Sequence, residues 1–559
     1  MSDKPLILGI NRTQDASACL MRGPQLLWAI QKERLTRRKH HWGRVGDLAG
    51  VYVPRLPGLD QPVDVLVECY SSDAEFDRLD AYERELGESV RLAPGARRAR
   101  ISHHLAHLYS AFHPSPFESA AVMIVDGQGS AVRDFTERWE GQARPDWLEV
   151  ASFYVATRNG IECVAKQVWD RDESNPVGLG MFYFLLTHAI FPGEGNEGKV
   201  MGLAPHGDPG ALAMPPLEVD GHCVYIPQAW RRLLGEKERF RHPTEHPERF
   251  LDAANLAAAG QRAFEEALWE VARWLHARTG LDQLCFAGGT ALNCPGNEGL
   301  HRHTPFREVF VTPAPSDAGT ALGCAVCGLV ELAGQPCGFR WTDDYLGPPV
   351  PPAAVAAALA DAGRLDDALE IERIDDMQAF AGRVAGLLAA GQVVALYQGR
   401  SEFGPRALGH RSILADPREE RMRDWINTHV KQREWFRPLA PVVLAERARD
   451  YFALSHPSPY MQWAVPSTPL ARERAPAVVH VDGTGRVQTV DAGGDPLLRA
   501  IIERFARLTG VPVVLNTSLN RKEEPIVETP QEALATFLAT PMHALAMPPF
   551  LAVKRQAPA

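Results

Sequence analysis

The sequence predicts a chain of mixed α/β class folded as two domains, and three observations carry that reading. Its 559 residues exceed one ordinary domain, at roughly 100–200 residues each. Short apolar runs that end in glycine-bearing turns alternate with stretches of helical periodicity, as strands feeding helices do. Near Leu346 the composition breaks. Gly347, Pro348, Pro349, Pro351 and Pro352 crowd together there, and prolines at that density interrupt regular structure. The expected division is a first domain over 1–345, a proline-rich linker and helix over 346–375, and a second domain with a tail over 376–559.

In chain order, Leu6–Asn11, a polar turn at Arg12–Asp15 and Ala16–Met21 read as a hairpin. Ala120–Val125 is a fully apolar strand that runs into Asp126-Gly127-Gln128-Gly129 and opens a second hairpin. From Gln261 to Arg278, the residues Phe264, Leu268, Val271 and Leu275 make an amphipathic stripe, with Gly280 placed to end the helix. The buried strand Leu284–Ala287 breaks into Gly288-Gly289-Thr290. Past the boundary come the strand Val393–Tyr397, a basic and aromatic stretch, and the strand Val511–Leu515. Pro548, Pro549 and Pro558 indicate a docked or loose tail. No repeat of fixed period is visible.

Composition narrows the partners. The chain has 59 basic and 69 acidic residues, a formal charge of −10. Nucleic acid is not expected as a partner, because binding it takes a concentrated positive face. No apolar run reaches the roughly 18 residues of a membrane span; the longest, Val177–Pro192, contains a threonine and a histidine. Met1-Ser2-Asp3-Lys4 shows no signal-peptide layout, and nine scattered cysteines make no disulfide framework. The expectation is a soluble, cytoplasmic, reduced protein.

Ser102-His103-His104-Leu105-Ala106-His107 places His103 and His107 four residues apart, on one face of a helix and able to share an ion. Surface decoration of a helix would produce the same spacing. Asp126 ends an apolar strand before glycine, where α/β sites usually lie, and Asp317 stands at a helix start, where it could serve only as a cap. Imidazole plus carboxylate suits iron, zinc or manganese and leaves room for a substrate oxygen. Cys324 and Cys327 lie in an apolar stretch and read as small hydrophobes.

Three glycine-bearing segments, Asp126–Gly129, Gly195–Gly202 and Gly288–Asn293, read as turns after strands that could present N–H groups to a phosphate. Lys199 adds a point charge. The two hairpins and the late Gly-Gly turn together point to the actin/sugar-kinase ATPase architecture. In the second domain, Arg406 and Arg411 flank a turn, Lys431-Gln432-Arg433 precedes Trp435-Phe436-Arg437, and Asn516-Thr517-Ser518 follows a strand. Guanidiniums fork onto phosphate oxygens; the same arginines could instead pair with surface carboxylates.

By these residues the chain resembles the NodU/CmcH O-carbamoyltransferases, the antibiotic-tailoring type of secondary metabolism. The most specific marks are His103-His104-Leu105-Ala106-His107, Gly198-Lys199-Val200-Met201-Gly202-Leu203-Ala204 and Gly404-Pro405-Arg406-Ala407-Leu408-Gly409-His410-Arg411-Ser412. The resemblance implies a TsaD/Kae-type first domain holding iron, Fe²⁺ or another divalent metal, on His103, His107, Asp126 and Asp317. Gly129, Lys199, Gly202, Gly288, Gly289 and Asn293 would line an adenylate pocket. It implies a YrdC/Sua-like second domain in which Arg406, Lys431, Arg486 and Ser518 handle phosphate, while Lys431-x-Arg433 and Asn516-x-Ser518 echo its paired motifs.

The implied reaction has two steps. Carbamoyl phosphate and ATP, with Mg²⁺, give carbamoyladenylate over Arg406 and Lys431; the carbamoyl group then passes to a hydroxyl of a small natural product. Members of the family usually read His-Asp-Ala-Ser at the first hairpin turn, whereas this chain reads Gln14-Asp15-Ala16-Ser17. Glutamine cannot accept a proton near neutral pH, which leaves Asp15 as a substitute base or a metal that acidifies the hydroxyl itself. A tRNA threonylcarbamoylation enzyme and a non-catalytic nucleotide-gated scaffold are the alternatives; the acidic charge opposes the first. Homodimerisation stays open.

Overall fold

In the computed structural model, which describes residues 4–70, 79–365 and 369–555, the aliphatic run β1 (Leu6–Asn11) is buried along its whole length. β2 (Ser17–Arg22) and β3 (Gln25–Gln31) extend its sheet antiparallel on one side, and β4 (Val63–Cys69) and β5 (Leu92–Ile101) extend it parallel on the other. The chain then repeats this plan around β6 (Ser119–Val125). β7 (Leu148–Thr157) and β8 (Gly160–Trp169) lie antiparallel on one side of it. After a separate ribbon of β9 (Glu218–Asp220) and β10 (Cys223–Tyr225), β11 (Gln283–Ala287) and β12 (Glu308–Val311) lie parallel on the other. The sequence shows no repeat because strand order recurs, not residue identity. Both central strands are covered on two faces, hence their continuous rather than alternating apolar runs.

Glycine sets how closely one helix approaches the helix that carries His103 and His107. The helix Thr320–Cys327 lies against β1 and against the helix His103–Phe112. A Cβ on Gly323 would stand 1.8 Å from the carbonyl oxygen of Ala106, so only glycine permits that backbone contact. The expected helix over 261–278 is longer, Phe250–Thr279, and Gly280 closes it in the left-handed region with φ +66°. The apolar run at Val177–Pro192 folds as the helix Leu179–Ile190.

By contacts the chain divides into Met1–Thr36 with His40–Thr342, and Arg37–Lys39 with Asp343–Ala559. The second unit is built on β13 (Leu369–Arg373), β14 (Val394–Tyr397), β15 (Arg411–Ala415) and β16 (Ala440–Leu444), with a ribbon of β17 (Ala464–Pro466) and β18 (Thr484–Arg486) set apart. β19 (Gln488–Val490), β20 (Val513–Ser518), β21 (Ala544–Met547) and β22 (Phe550–Lys554) complete an eight-stranded sheet of order β13-β22-β21-β14-β15-β20-β16-β19.

The segment 346–375 holds a helix as expected, Pro352–Leu365, and it also contributes β13, which pairs with β22. Of the two forms expected for the closing segment, docked or loose, the described part is docked as a strand. Pro548 and Pro549 sit in the turn between β21 and β22, and β22 is paired on both edges; Pro558 falls outside the described residues. Among the described residues no helix is long and apolar enough to cross a membrane.

Candidate metal centre and basic cluster

The first turn of a helix leaves N–H groups without partners, and the helix His103–Phe112 finds them in neighbouring segments. His103 N–H donates to Ser130 Oγ at 2.9 Å and His104 N–H to Glu149 Oε1 at 3.0 Å. Held this way, the helix turns His103 and His107 to one side, their Nε2 atoms 3.2 Å apart. Asp126, immediately after β6, accepts the Gly127 N–H through Oδ1 at 2.7 Å. Its Oδ2 lies 3.2 Å from His107 Nε2 and 3.8 Å from His103 Nε2, yet is buried without a directed hydrogen bond.

Asp317 completes the group. Its Oδ1 is 3.5 Å from His103 Nε2 and 3.9 Å from His107 Nε2. Thr13 Oγ1 donates to its Oδ2 and Asn11 Nδ2 to its carbonyl oxygen, both at 2.8 Å. Asp317 opens a 3₁₀ turn, and its carboxylate caps no helix, which corrects the capping alternative. One donor atom from each of these four residues lies within 4.8 Å of all the others. Two imidazoles and two carboxylates, with a buried carboxylate oxygen that makes no directed hydrogen bond, fit a divalent transition metal.

Electrostatics follow the same geometry. Burial opposes charge on His103, but Asp317 and Asp126 outweigh it and hold the imidazole well above the usual histidine range. Burial would raise Asp126, and the nearby imidazoles of His103 and His107 instead hold it well below the carboxylate range. His104 belongs elsewhere: its Nδ1 meets Ser152 Oγ at 2.7 Å, and burial and then Lys166 push it down. Lys166 Nζ sits between Glu149 at 2.5 Å and Glu137 at 2.6 Å. Glu137 in turn accepts from Ser102 Oγ at 2.6 Å.

The glycine segments differ from expectation. Gly195–Gly202 follows a helix, not a strand, and Lys199 and Gly202 lie within the helix Glu197–Leu203. Burial of Val200 and Leu203 offsets the roughly 1 kcal/mol that glycine costs in a helix. Lys199 Nζ stands 5.6 Å over the Phe191 ring. The backbone N–H groups of Gly129 and Gly288 already donate to Glu149 and Pro315, at 2.8 and 2.9 Å, so neither is a ready phosphate donor. Gly289 begins a 3₁₀ turn close to Asp126. Asn293 caps the helix Cys294–His303 and pairs with Gln261.

In the second unit the structure joins Lys431 to Ser518. Lys431 Nζ donates to Ser518 O and Oγ at 2.7 and 3.2 Å and to Asn520 O and Oδ1 at 3.0 and 2.6 Å. Burial, then Arg433, Lys39 and Arg437, push this amine well down. Arg433 reaches Asn427 Oδ1 at 2.8 Å and is depressed by burial, Arg437 and Arg486 among others. Arg486 ends β18, and Arg406 lies between β14 and β15. Asn516 is not turned to this cluster: its Nδ2 donates to Ala407 O and Gln488 Oε1, both at 3.0 Å. Arg411 is a buried brace, stacked 3.8 Å over Tyr397. Sequence reasoning missed Asn11, Thr13 and Asn520; the polar run Asn11-Arg12-Thr13 after an apolar strand was their one signal.

Comparison with known proteins bears on this geometry. Residues 96–326 match the family model described as carbamoyltransferase N-terminus, and residues 385–554 match carbamoyltransferase C-terminus. Nodulation protein NolNO of Sinorhizobium fredii is 35% identical over 576 residues, spanning 97% of this chain and 79% of its own. Nodulation protein NolO of Bradyrhizobium diazoefficiens is 36% identical over 466 residues, 82% of this chain and 79% of its own. Among solved structures, full-length HypF in the phosphate- and nucleotide-bound form aligns at 14% identity and a TM-score of 0.36, over 59% of this chain and 56% of that one.

Proposed function

The chain belongs to the carbamoyltransferase family, and on that premise we propose that its two units divide the reaction between them. The second unit makes carbamoyladenylate from carbamoyl phosphate and ATP, and the first transfers the carbamoyl group to a hydroxyl of a small molecule. The convergence of His103, His107, Asp126 and Asp317 carries this reading, because a nucleotide-gated scaffold has no use for it. We assign the first unit a TsaD/Kae-type fold, supported by its duplicated five-stranded sheets, and the second a YrdC-like fold.

Carbamate is a poor acyl donor, so its oxygen needs a good leaving group first. In the second unit carbamoyl phosphate and water would first give carbamate and inorganic phosphate. Arg406, Lys431, Arg433 and Arg486 would then neutralise charge as a carbamate oxygen attacks the α-phosphorus of ATP and pyrophosphate leaves. In the first unit a divalent metal, iron by resemblance, would be held by His103, His107, Asp126 and Asp317. It would supply Lewis-acid polarisation. Thr13 and Asn11 orient Asp317, and Ser130 and Glu149 orient the helix that carries both histidines.

The test is incubation with ATP, carbamoyl phosphate and a panel of hydroxyl compounds. The expected result is a product heavier by one HNCO, with AMP and pyrophosphate released and a transition metal bound in the purified protein. Transfer without consumption of ATP would sink the adenylate step, and a metal-free chain of full activity would sink the metal assignment.

A further inference from the structure

Beside the metal centre the chain assembles an imidazole–carboxylate pair. His40 Nδ1 and Asp15 Oδ1 lie 2.9 Å apart, and both residues hold a positive φ, +51° and +50°. Neither is glycine, and such conformations cost free energy and persist where the surroundings impose them, often at functional sites. The surroundings here are specific. Glu33 accepts the His40 N–H at 3.0 Å, Ala16 N–H donates to His41 O at 3.2 Å, and Gly43 N–H to Thr13 O at 3.0 Å. A Cβ on residue 195 would stand 2.1 Å from His40 Nε2, so the imidazole fits only because Gly195 has no side chain. Asn11 Nδ2 links the pair to the metal centre, donating to Asp15 O at 3.2 Å and to Asp317 O at 2.8 Å.

Resting on the transfer reading above, we propose that His40 is the general base of the transfer step and Asp15 its positioning residue. Asp15 keeps the proton on Nδ1 and makes Nε2 the basic nitrogen. As the acceptor oxygen forms its bond to the carbamoyl carbon, Nε2 takes the hydroxyl proton. The bond from that carbon to the adenylate oxygen breaks, AMP leaves with the electron pair, and the imidazolium returns its proton to solvent. This assigns to a neighbouring histidine the proton transfer that Gln14 cannot perform. Other charged groups near the pair are Glu33 and Glu197, with Glu194 beside the latter.

The whole chain is assayed as wild type, His40→Gln, Asp15→Asn and Asp15→Glu. Transfer is read with the hydroxyl compound from the screen and with water, as AMP release. The expected result for His40→Gln is a loss of transfer of about 100-fold or more, with the acidic limb of the rate profile gone. Pyrophosphate exchange into ATP and metal content would stay as in wild type. Asp15→Asn would follow His40→Gln, and Asp15→Glu would recover part of the rate. Undiminished transfer in His40→Gln, or loss of exchange and metal together with transfer, overturns the base and leaves the two-unit reading standing. Absence of exchange in the wild type sinks that reading instead, and the pair is then judged on ¹⁵N spectra of the His40 ring. An Nδ1-protonated tautomer that Asp15→Asn abolishes supports the pair; an Nε2-protonated ring overturns it.

Discussion

His103 Nε2 and His107 Nε2 face each other at 3.2 Å, with oxygens of Asp126 and Asp317 at 3.2 to 3.9 Å. Two imidazole lone pairs that close repel unless a proton or a cation lies between them. Without metal the first remedy applies: Asp317 and Asp126 outweigh burial and hold His103 well above the usual histidine range.

Replacing one member should dismantle the site without touching the other unit. His107→Ala is expected to lose bound metal and to lower carbamoyl transfer by about 100-fold or more, while pyrophosphate exchange into ATP persists. Elemental analysis and the two half-reactions measured side by side check this; loss of exchange would contradict the division of labour.

The Thr13 hydroxyl touches no proposed substrate; it donates to Asp317 Oδ2 and Asn11 Oδ1, both at 2.8 Å, and to Gln14 O at 3.1 Å. Partners that orient a metal ligand typically contribute about 10–100-fold in affinity. Thr13→Val should weaken metal binding by about that factor with little change in unfolding temperature. Competition against a chelator of known affinity measures it.

Lys431→Met removes a buried amine from four oxygens of Ser518 and Asn520. Unsatisfied buried acceptors cost about 1–3 kcal/mol, and loss of an electrostatic donor costs about 10²–10³ in rate. The variant should therefore show both a lower unfolding midpoint and a loss of pyrophosphate exchange of that size, yet still transfer from supplied carbamoyladenylate.

Glu137 yields a pH prediction. Burial would raise its carboxyl, but Lys166 holds it down to about 2. A folded value below the unfolded value of about 4.3 means its stabilisation is complete above about pH 4.3. It is lost as pH falls from there through about 2. Lys166→Met should cost about 3–5 kcal/mol near neutral pH, since it strands two buried carboxylates, and should lose stability less steeply in acid. Urea unfolding at a series of pH values reads both effects.

Contiguous signals were legible in the sequence. His103 and His107 share a helical spacing, Asp126 follows an unbroken apolar strand, and Lys431 and Ser518 lie in polar runs between apolar strands. What failed depended on partners distant in sequence. Gly129 and Gly288 looked like open phosphate donors, but Glu149 and Pro315 take their N–H groups. Gly195–Gly202 read as a turn because glycine breaks helices in isolation, and burial of Val200 and Leu203 outweighs that tendency. Thr13 and Asn11 escaped because nothing nearby in sequence announces that Asp317, three hundred residues on, needs them.

The contact that Gly323 allows with Ala106 has a consequence for biogenesis. Asp317 and the helix behind it are among the last parts of the first unit to leave the ribosome, and until they dock the two histidines have an incomplete cage around them. A chain that ends before Asp317 therefore lacks one of the four residues proposed to hold the metal, so assembly of that site waits for the last segment of the first unit.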